Sequence, residues 1–336
     1  MQTVTEAGRE IATARRVRRV QRLFQLWETA GLIVVLAIIG AAVSLATPVF
    51  LTPTNLVNVA ISASIIAVTG LGMTLVISLG QFDLSVGSVQ GLSAIVAAEL
   101  LDRTNIPLTI VATLLLGFAI GLINGLIITR FRVPAFVTTL GMLSIARGAA
   151  LLIANGQSIL IQGHDAYALL NTARILGIPI PLVIALVVLV IGYLLLQRTP
   201  FGRHVCAIGG NLLAAVAAGL KVDRITVIVF GLVGLTAALS GIMISAQLMI
   251  VDGSLGTGFE LQAIAISVLG GTSLKGGSGN MVGTFLAAFL LSTINSSLNL
   301  LNVPSFYQFM ALGLLLIVAL SLDTLRRYLV STTLTA

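Results

Sequence analysis

TAGLIVVLAIIGAAVSLATPVFLTPTNLVNVAISASIIAVTGLGMTLVISLGQF fills positions 29–82 and holds no Asp, Glu, Lys or Arg. A membrane-crossing helix needs about 20 apolar residues, so these 54 residues fit two helices and a turn. Pro48, Pro53, Asn55 and Asn58 mark the turn, which places spans at roughly 29–46 and 57–79. The rest of the 336-residue chain is similar: 57% of it is apolar and 9% charged, with a mean hydropathy of +1.11. Soluble proteins carry roughly 25% charge, so this chain cannot coat a soluble exterior. A secreted protein, a nucleic-acid binder and a soluble metabolic enzyme are excluded.

Working outward, charge-poor windows predict further spans at 84–101, 104–129, 134–154, 175–197, 225–251 and 260–273. The uncharged stretch 276–322 fits two more, divided near 299–304. The expectation is an all-α polytopic membrane protein of ten helices. A basic tail occupies 1–28, the transmembrane domain 29–323, a long loop 197–224, and a second tail 324–336. Ser44-Leu45-Ala46 mimics a signal-peptide cleavage site, but the apolar run is long and the next span follows at once. It reads as a retained first helix.

Lysines and arginines collect in short cytoplasmic loops. Alternating sides from a cytoplasmic start puts 15 of the 18 basic residues inside, leaving Arg103 and Arg174 outside and Arg147 within a span. Both termini are then cytoplasmic. The six arginines between Arg9 and Arg22 read as a topology signal with lipid headgroup contact rather than a nucleic-acid arm. Cys206 stands alone, which forbids an intrachain disulfide. His164 and His204 fall in loops on opposite sides and cannot share a metal.

LGQFDLSVGS at 79–88 and LGGTSLKGGS at 269–278 match at five of ten positions, which suggests an internal duplication at an offset of 190. Glycines this dense permit turns and broken helices inside a membrane. VPAF at 133–136 and VPSF at 303–306 share VPxF at another offset and on opposite sides, and read as coincidence. In the loop 197–224, Pro200 and Gly202 suggest a turn. Asn211 can cap a helix from Leu212 to Ala218 that Gly219 stops. A helix so short needs something to dock on.

The polar residues inside the spans are few. Asp83 reads either as a gate residue or as a cap for the next helix. Arg147 is a charge within a span and calls for an interior partner or a gating role. Asn124, Asn295, Asn299 and Gln247 are candidate pore-facing or helix-bridging groups. The chain has no GxxxxGK[ST] loop and no HExxH pair.

The chain resembles the permease subunits of bacterial ABC importers for monosaccharides of the ribose, xylose and arabinose type. TGLGMTLVISLGQFDLSVGS (69–88), GLINGLIITRFRVPAFVTTLGMLSIARGAAL (121–151), GRHVCAIGGNLLAAVAAGL (202–220), ELQAIAISVLGGTSLKGGSG (260–279) and VPSFYQFMALGLLLIVAL (303–320) carry the likeness. Branched-chain amino-acid permeases share a more distant version. Cys206 departs from the bulky residue usual before AIG. The resemblance implies a permease, not an enzyme, in a cytoplasmic membrane. It implies a second permease copy or close paralogue, an ABC ATPase that alone handles ATP and Mg, and an external sugar-binding protein. It also implies that Gly209, Asn211, Ala214, Ala215 and Gly219 form a coupling helix on the ATPase. Asp83, Asn124, Arg147 and Asn295 are the pathway or gate candidates. The alternative is a secondary transporter of a small polar solute, which would usually place an ionisable residue at the midplane. The sequence does not say which sugar is carried.

Overall fold

The computed structural model describes residues 30–304 and, beyond them, 306–308, 310, 311, 313, 314, 317 and 321. It is an all-α multi-span membrane protein. Among the described residues, six helices are long and apolar enough to cross: α2 (Pro53–Ser78), α4 (Ile106–Arg130), α5 (Ala135–Ile153), α7 (Ile180–Tyr193, prolonged by a π turn to Arg198), α10 (Val222–Leu248) and α12 (Met281–Leu300). Three apolar helices are shorter: α1 (Ala30–Ala46), α3 (Val86–Leu101) and α11 (Phe259–Leu269). The tenth expected span falls largely outside the described residues. Between the long helices lie α6 (Asp165–Thr172), α8 (Pro200–Gly210) and α9 (Leu212–Ala217). Four two-residue strands form two small antiparallel pairs, β1 (Ile159–Leu160) with β4 (Ile250–Val251) and β2 (Arg174–Ile175) with β3 (Ile178–Pro179).

Local chemistry fixes the helix starts. Thr52, Asn105, Thr199, Asn211 and Asn280 each accept a backbone N–H of the following first turn, and Pro53, Pro107 and Pro200 sit where no donor is needed. The turn expected at Pro200 and Gly202 is therefore the first turn of α8. Thr199 caps it at Gly202 (3.3 Å).

The loops gather at two ends. At one, Arg132 pairs with Asp223 (3.3 Å), and the Gly277 amide donates to Ser78 O (2.9 Å). This is the basic end, which also carries Arg130, Arg198, Arg203, Lys221, Arg224 and Lys275. At the other, β1 pairs with β4, and His164 Nε2 lies 2.9 Å from Asp102 Oδ1. Tyr167 of α6 is buried there against Ser245 Oγ (2.7 Å), and burial pushes its phenol up to about 12, so it stays protonated.

The expected spans 84–101 and 260–273 do not form full-length helices. At 1.5 Å per residue α3 measures about 24 Å and α11 about 16 Å, and each starts inside the bundle. The first turn of α3 meets the start of α11 and its lead, because a Cβ on Gly87 would strike Gly256 O and crowd Glu260 N, and one on Gly256 would strike Gly87 O. From that contact α3 runs to the end that holds Asp102 and α11 to the basic end. The segments leading to them are non-helical, with Gly256 (φ +78°) and Gly258 (φ +78°) in the left-handed region.

This arrangement replaces the duplication at an offset of 190. DLSVGSVQGLSAI (83–95) and DGSLGTGFELQAI (252–264) align without a gap at an offset of 169, with six identities in thirteen positions. The two turns are alike: Asp83 Oδ1 accepts Ser85 N (2.8 Å) and Asp252 Oδ1 accepts Ser254 N (2.7 Å). Long helix, half-helix and long helix follow in order in both halves, and VPxF closes each. α2 packs on α12 and α11 as α10 packs on α4 and α3. The halves run in opposite senses, so VPxF must fall on opposite sides. What looked like coincidence is the repeat.

Small residues bring the long helices close, as membrane packing favours. Gly117, Gly121 and Gly125 of α4 face Gly234, Phe230, Gly231 and Val227 of α10 with no room for a Cβ. Gly234→Val would strike Gly117 O and should destabilise the fold by about 1–3 kcal/mol or more. Gly31→Val meets nothing within 4 Å and should leave the melting temperature of the detergent-purified chain unchanged. Equal melts for the two variants would contradict the close α4–α10 crossing.

Candidate functional site

Two regions hold the residues singled out by sequence, one inside the bundle and one at the basic end. Asp83 and Asn124 meet in the first. Asp83 is 1% exposed, and its Oδ1 accepts both the amide and the hydroxyl of Ser85 (2.8 and 2.6 Å). Asn124 Nδ2, on α4, donates to the same hydroxyl (3.0 Å). Asp83 thus caps the amide at Ser85, just ahead of α3, from inside a sealed polar cluster. Neither residue faces an opening in this conformation.

Arg147 lies on the other side of the Gly87–Gly256 contact. Its Nη1 donates to Gly253 O (2.8 Å) and Leu255 O (2.6 Å), both in the segment that leads into α11. Glu260, in the first turn of α11, and Asp252 supply the opposite charge around it. The partner that a charge within a span requires is therefore mostly backbone. A non-helical segment at membrane depth has free carbonyls, and a guanidinium satisfies two at once. Glu260 Oε2 is buried without a hydrogen-bond partner among the described residues and lies against Gly87. Asn295 is not part of this cluster. It is half-buried on α12, beside Ser296, whose hydroxyl donates to Asn55 Oδ1 (2.9 Å).

At the basic end Asn211 Oδ1 accepts Ala214 N (3.0 Å) and starts α9, and Gly219 (φ +76°) follows its last turn. Of the residues expected to meet the ATPase, Asn211, Ala214 and Gly219 are exposed and Ala215 is not. Ala215 is buried at 4% exposure against the chain's own core, while Ala214 is exposed. Leu212, Leu213 and Val216 point outward, Leu213 at 82% exposure. Gly209 faces the bundle too: a Cβ there would strike Ser78 O and crowd Leu79 and Gly277 N. Cys206, on α8, is largely covered, and burial pushes its thiol up.

Sequence reasoning missed Ser254, Thr257 and Glu260, and with them Gln90, whose Nε2 donates to Ser240 Oγ (2.7 Å), which in turn donates to Ile65 O (3.0 Å). The signal was present in the D-x-S turn, which occurs at Asp83 and again at Asp252.

Comparison with known proteins gives one family. The model for the branched-chain amino acid transport system / permease component matches residues 55–320. The ribose import permease protein RbsC of Escherichia coli (strain K12) is 39% identical over 302 residues, 89% of this chain and 94% of that one. The L-arabinose ABC transporter permease protein AraH of Azospirillum brasilense is 36% identical over 306 residues, 91% and 90% of the two chains. The ribose permease of Bacillus subtilis (strain 168) is 39% identical over 290 residues, 86% and 90%. No solved structure matched.

Arg147→Met would leave the Gly253 and Leu255 carbonyls without their donor, at about 1–3 kcal/mol each. The melting temperature of the purified chain should fall clearly. Arg147→Lys, with a compact ammonium in place of the fork, should fall between. An unshifted melt for Arg147→Met would show that these bonds do not hold the segment.

Proposed function

The chain belongs to the branched-chain amino acid transport system / permease component family, and from that membership we propose that it is the membrane-spanning subunit of an ATP-driven importer that moves a pentose-like monosaccharide inward. The family's description names amino acids, whereas relatives that match about nine-tenths of the chain at 34–39% identity are ribose and L-arabinose permeases. Identity at that level over nearly the whole chain supports sugar, and it is the observation that carries the reading. The chain is a transport subunit and not an enzyme. A secondary transporter is not favoured.

The finer reading is as follows. Ten segments traverse the inner membrane, two of them as the half-helices α3 and α11 with their non-helical leads, and the basic end is cytoplasmic together with both termini. An ABC ATPase docks there, a sugar-binding protein docks at the opposite end, and a second permease copy or close paralogue completes the pore. α9 is the coupling helix, with Leu212, Leu213 and Val216 toward the ATPase and Ala215 as its anchor on the bundle. Gly209 sits where the end of α2 and the 276–277 turn come together. A push on α9 therefore reaches the last turn of α2 and the turn before α12, one element from each half. Packed backbone transmits such a push because it has no slack to absorb it.

The sugar reading and the docking reading have separate tests. Reconstituted with its ATPase and binding protein, the chain should support ribose- or arabinose-stimulated ATP hydrolysis, and alone it should hydrolyse none. Leu213→Asp should abolish coprecipitation with the ATPase at an unchanged melting temperature. Ala215→Trp should instead lower the melting temperature of the isolated permease, since its site is filled by the chain itself. Normal association and normal coupled turnover in a folded Leu213→Asp chain would defeat the assignment of α9. The topology is read by thiol labelling without Cys206: positions in 155–163 should react from outside and position 199 from inside.

A further inference from the structure

We propose that the segment 252–258, with Arg147 and Glu260 beside it, lines the water-filled path of the transported solute, and that the path suits a neutral polyhydroxylated molecule. Irregular backbone is tolerated at membrane depth only where protein buries it or where it borders a water-filled cavity. This segment is only partly buried. It descends from β4 to the Gly87–Gly256 contact, which two half-helices of about 24 and 16 Å place well inside a hydrocarbon core of about 30 Å. Along it Ser254 and Thr257 are exposed, and Asp252 and Glu260 are partly so. Arg147 is half-exposed on the facing helix, with Ser144 exposed one turn nearer the basic end. Such a strip cannot face acyl chains. Water must reach it.

The chemistry narrows the solute. Arg147 spends its Nη1 on two carbonyls, so it holds the wall more than it attracts an anion. Two carboxylates remain, together with the Ser254 and Thr257 hydroxyls, whose protons go to Asp252 Oδ1 and Ser254 O and whose lone pairs are left to accept from a solute. That set makes weak, reversible hydrogen bonds to hydroxyl groups and repels negative charge. The equivalent turn at Asp83 is sealed by Asn124 and offers nothing of the kind. The solute class rests on the sugar-permease reading above; the position of the path does not.

A thiol reacts as its thiolate, which forms in water and not in lipid. Ser254→Cys and Thr257→Cys, each in a Cys206→Ser chain assembled with its ATPase and binding protein in vesicles, should react with methanethiosulfonate ethylammonium. Val190→Cys, on the exposed apolar face of α7, should stay unmodified. Modification at 257 should lower ribose or arabinose uptake at least tenfold. The cationic reagent should outpace the anionic sulfonatoethyl reagent several-fold more than it does with a free thiol. No reaction at either site, or complete reaction with uptake intact, overturns the path. A preference for the anionic reagent overturns the solute chemistry. If the unmodified assembly imports neither ribose nor arabinose, the sugar reading fails while the labelling still decides where the water runs.

Discussion

A backbone amide or carbonyl without a partner in hydrocarbon costs several kcal/mol, and the architecture follows from how this chain meets that demand. Long helices meet it within themselves. The two half-helices cannot, because each leaves a non-helical lead inside the membrane and four free amides at its start. Within the leads Asp83 and Asp252 form the same turn, each accepting the backbone amide two residues on, and at the start of α11 the lead supplies an acceptor itself, Gly256 O for Phe259 N. Gly87 and Gly256 then let the two starts touch at a distance that no side chain would allow. Remove that contact and neither α3 nor α11 has a fixed end from which to run.

Much of this was legible in the sequence, and the limits are physical. Windows without charge locate the membrane-spanning mass, since a charge in lipid is costly wherever it falls. They do not separate a helix from a glycine-rich lead, because both are poor in charge, and so 84–101 and the short 260–273 each count as a span. Asn211 announced α9 because a cap is a local event. The face that α9 presents could not be read: LLAAVA is apolar all round, and only tertiary contact decides that Ala215 turns in and Leu213 out.

The repeat shows the same division. An inverted pair shares its turn chemistry and little else, because equivalent helices pack against different neighbours. The identities that survive are therefore Asp, Ser and Gly at the turn, and Leu, Ala and Ile in the helix after it. A repeat that must place VPxF on opposite sides looks accidental to any reading that expects repeats to share a side. The geometry that hid it is the geometry that makes it useful, since opposed halves give a membrane protein two equivalent ends to open in turn.

Symmetry of that kind raises the question of where the two halves stop being alike. They part at the turn itself. In the first half Asn124 reaches Ser85 from α4 and closes the cluster, leaving Asp83 almost without contact with solvent. In the second half the facing helix brings Arg147 to the carbonyls rather than an amide to the serine, and Ser254 stays exposed. A duplicated turn thus serves twice, once as an internal support and once as an open wall. The sealed copy gives the open one its fixed position: the Gly87 it supplies is the surface on which Gly256 and Glu260 rest. A wall of irregular backbone can border water and keep its shape only if it is braced from behind, and here the brace is its own repeat.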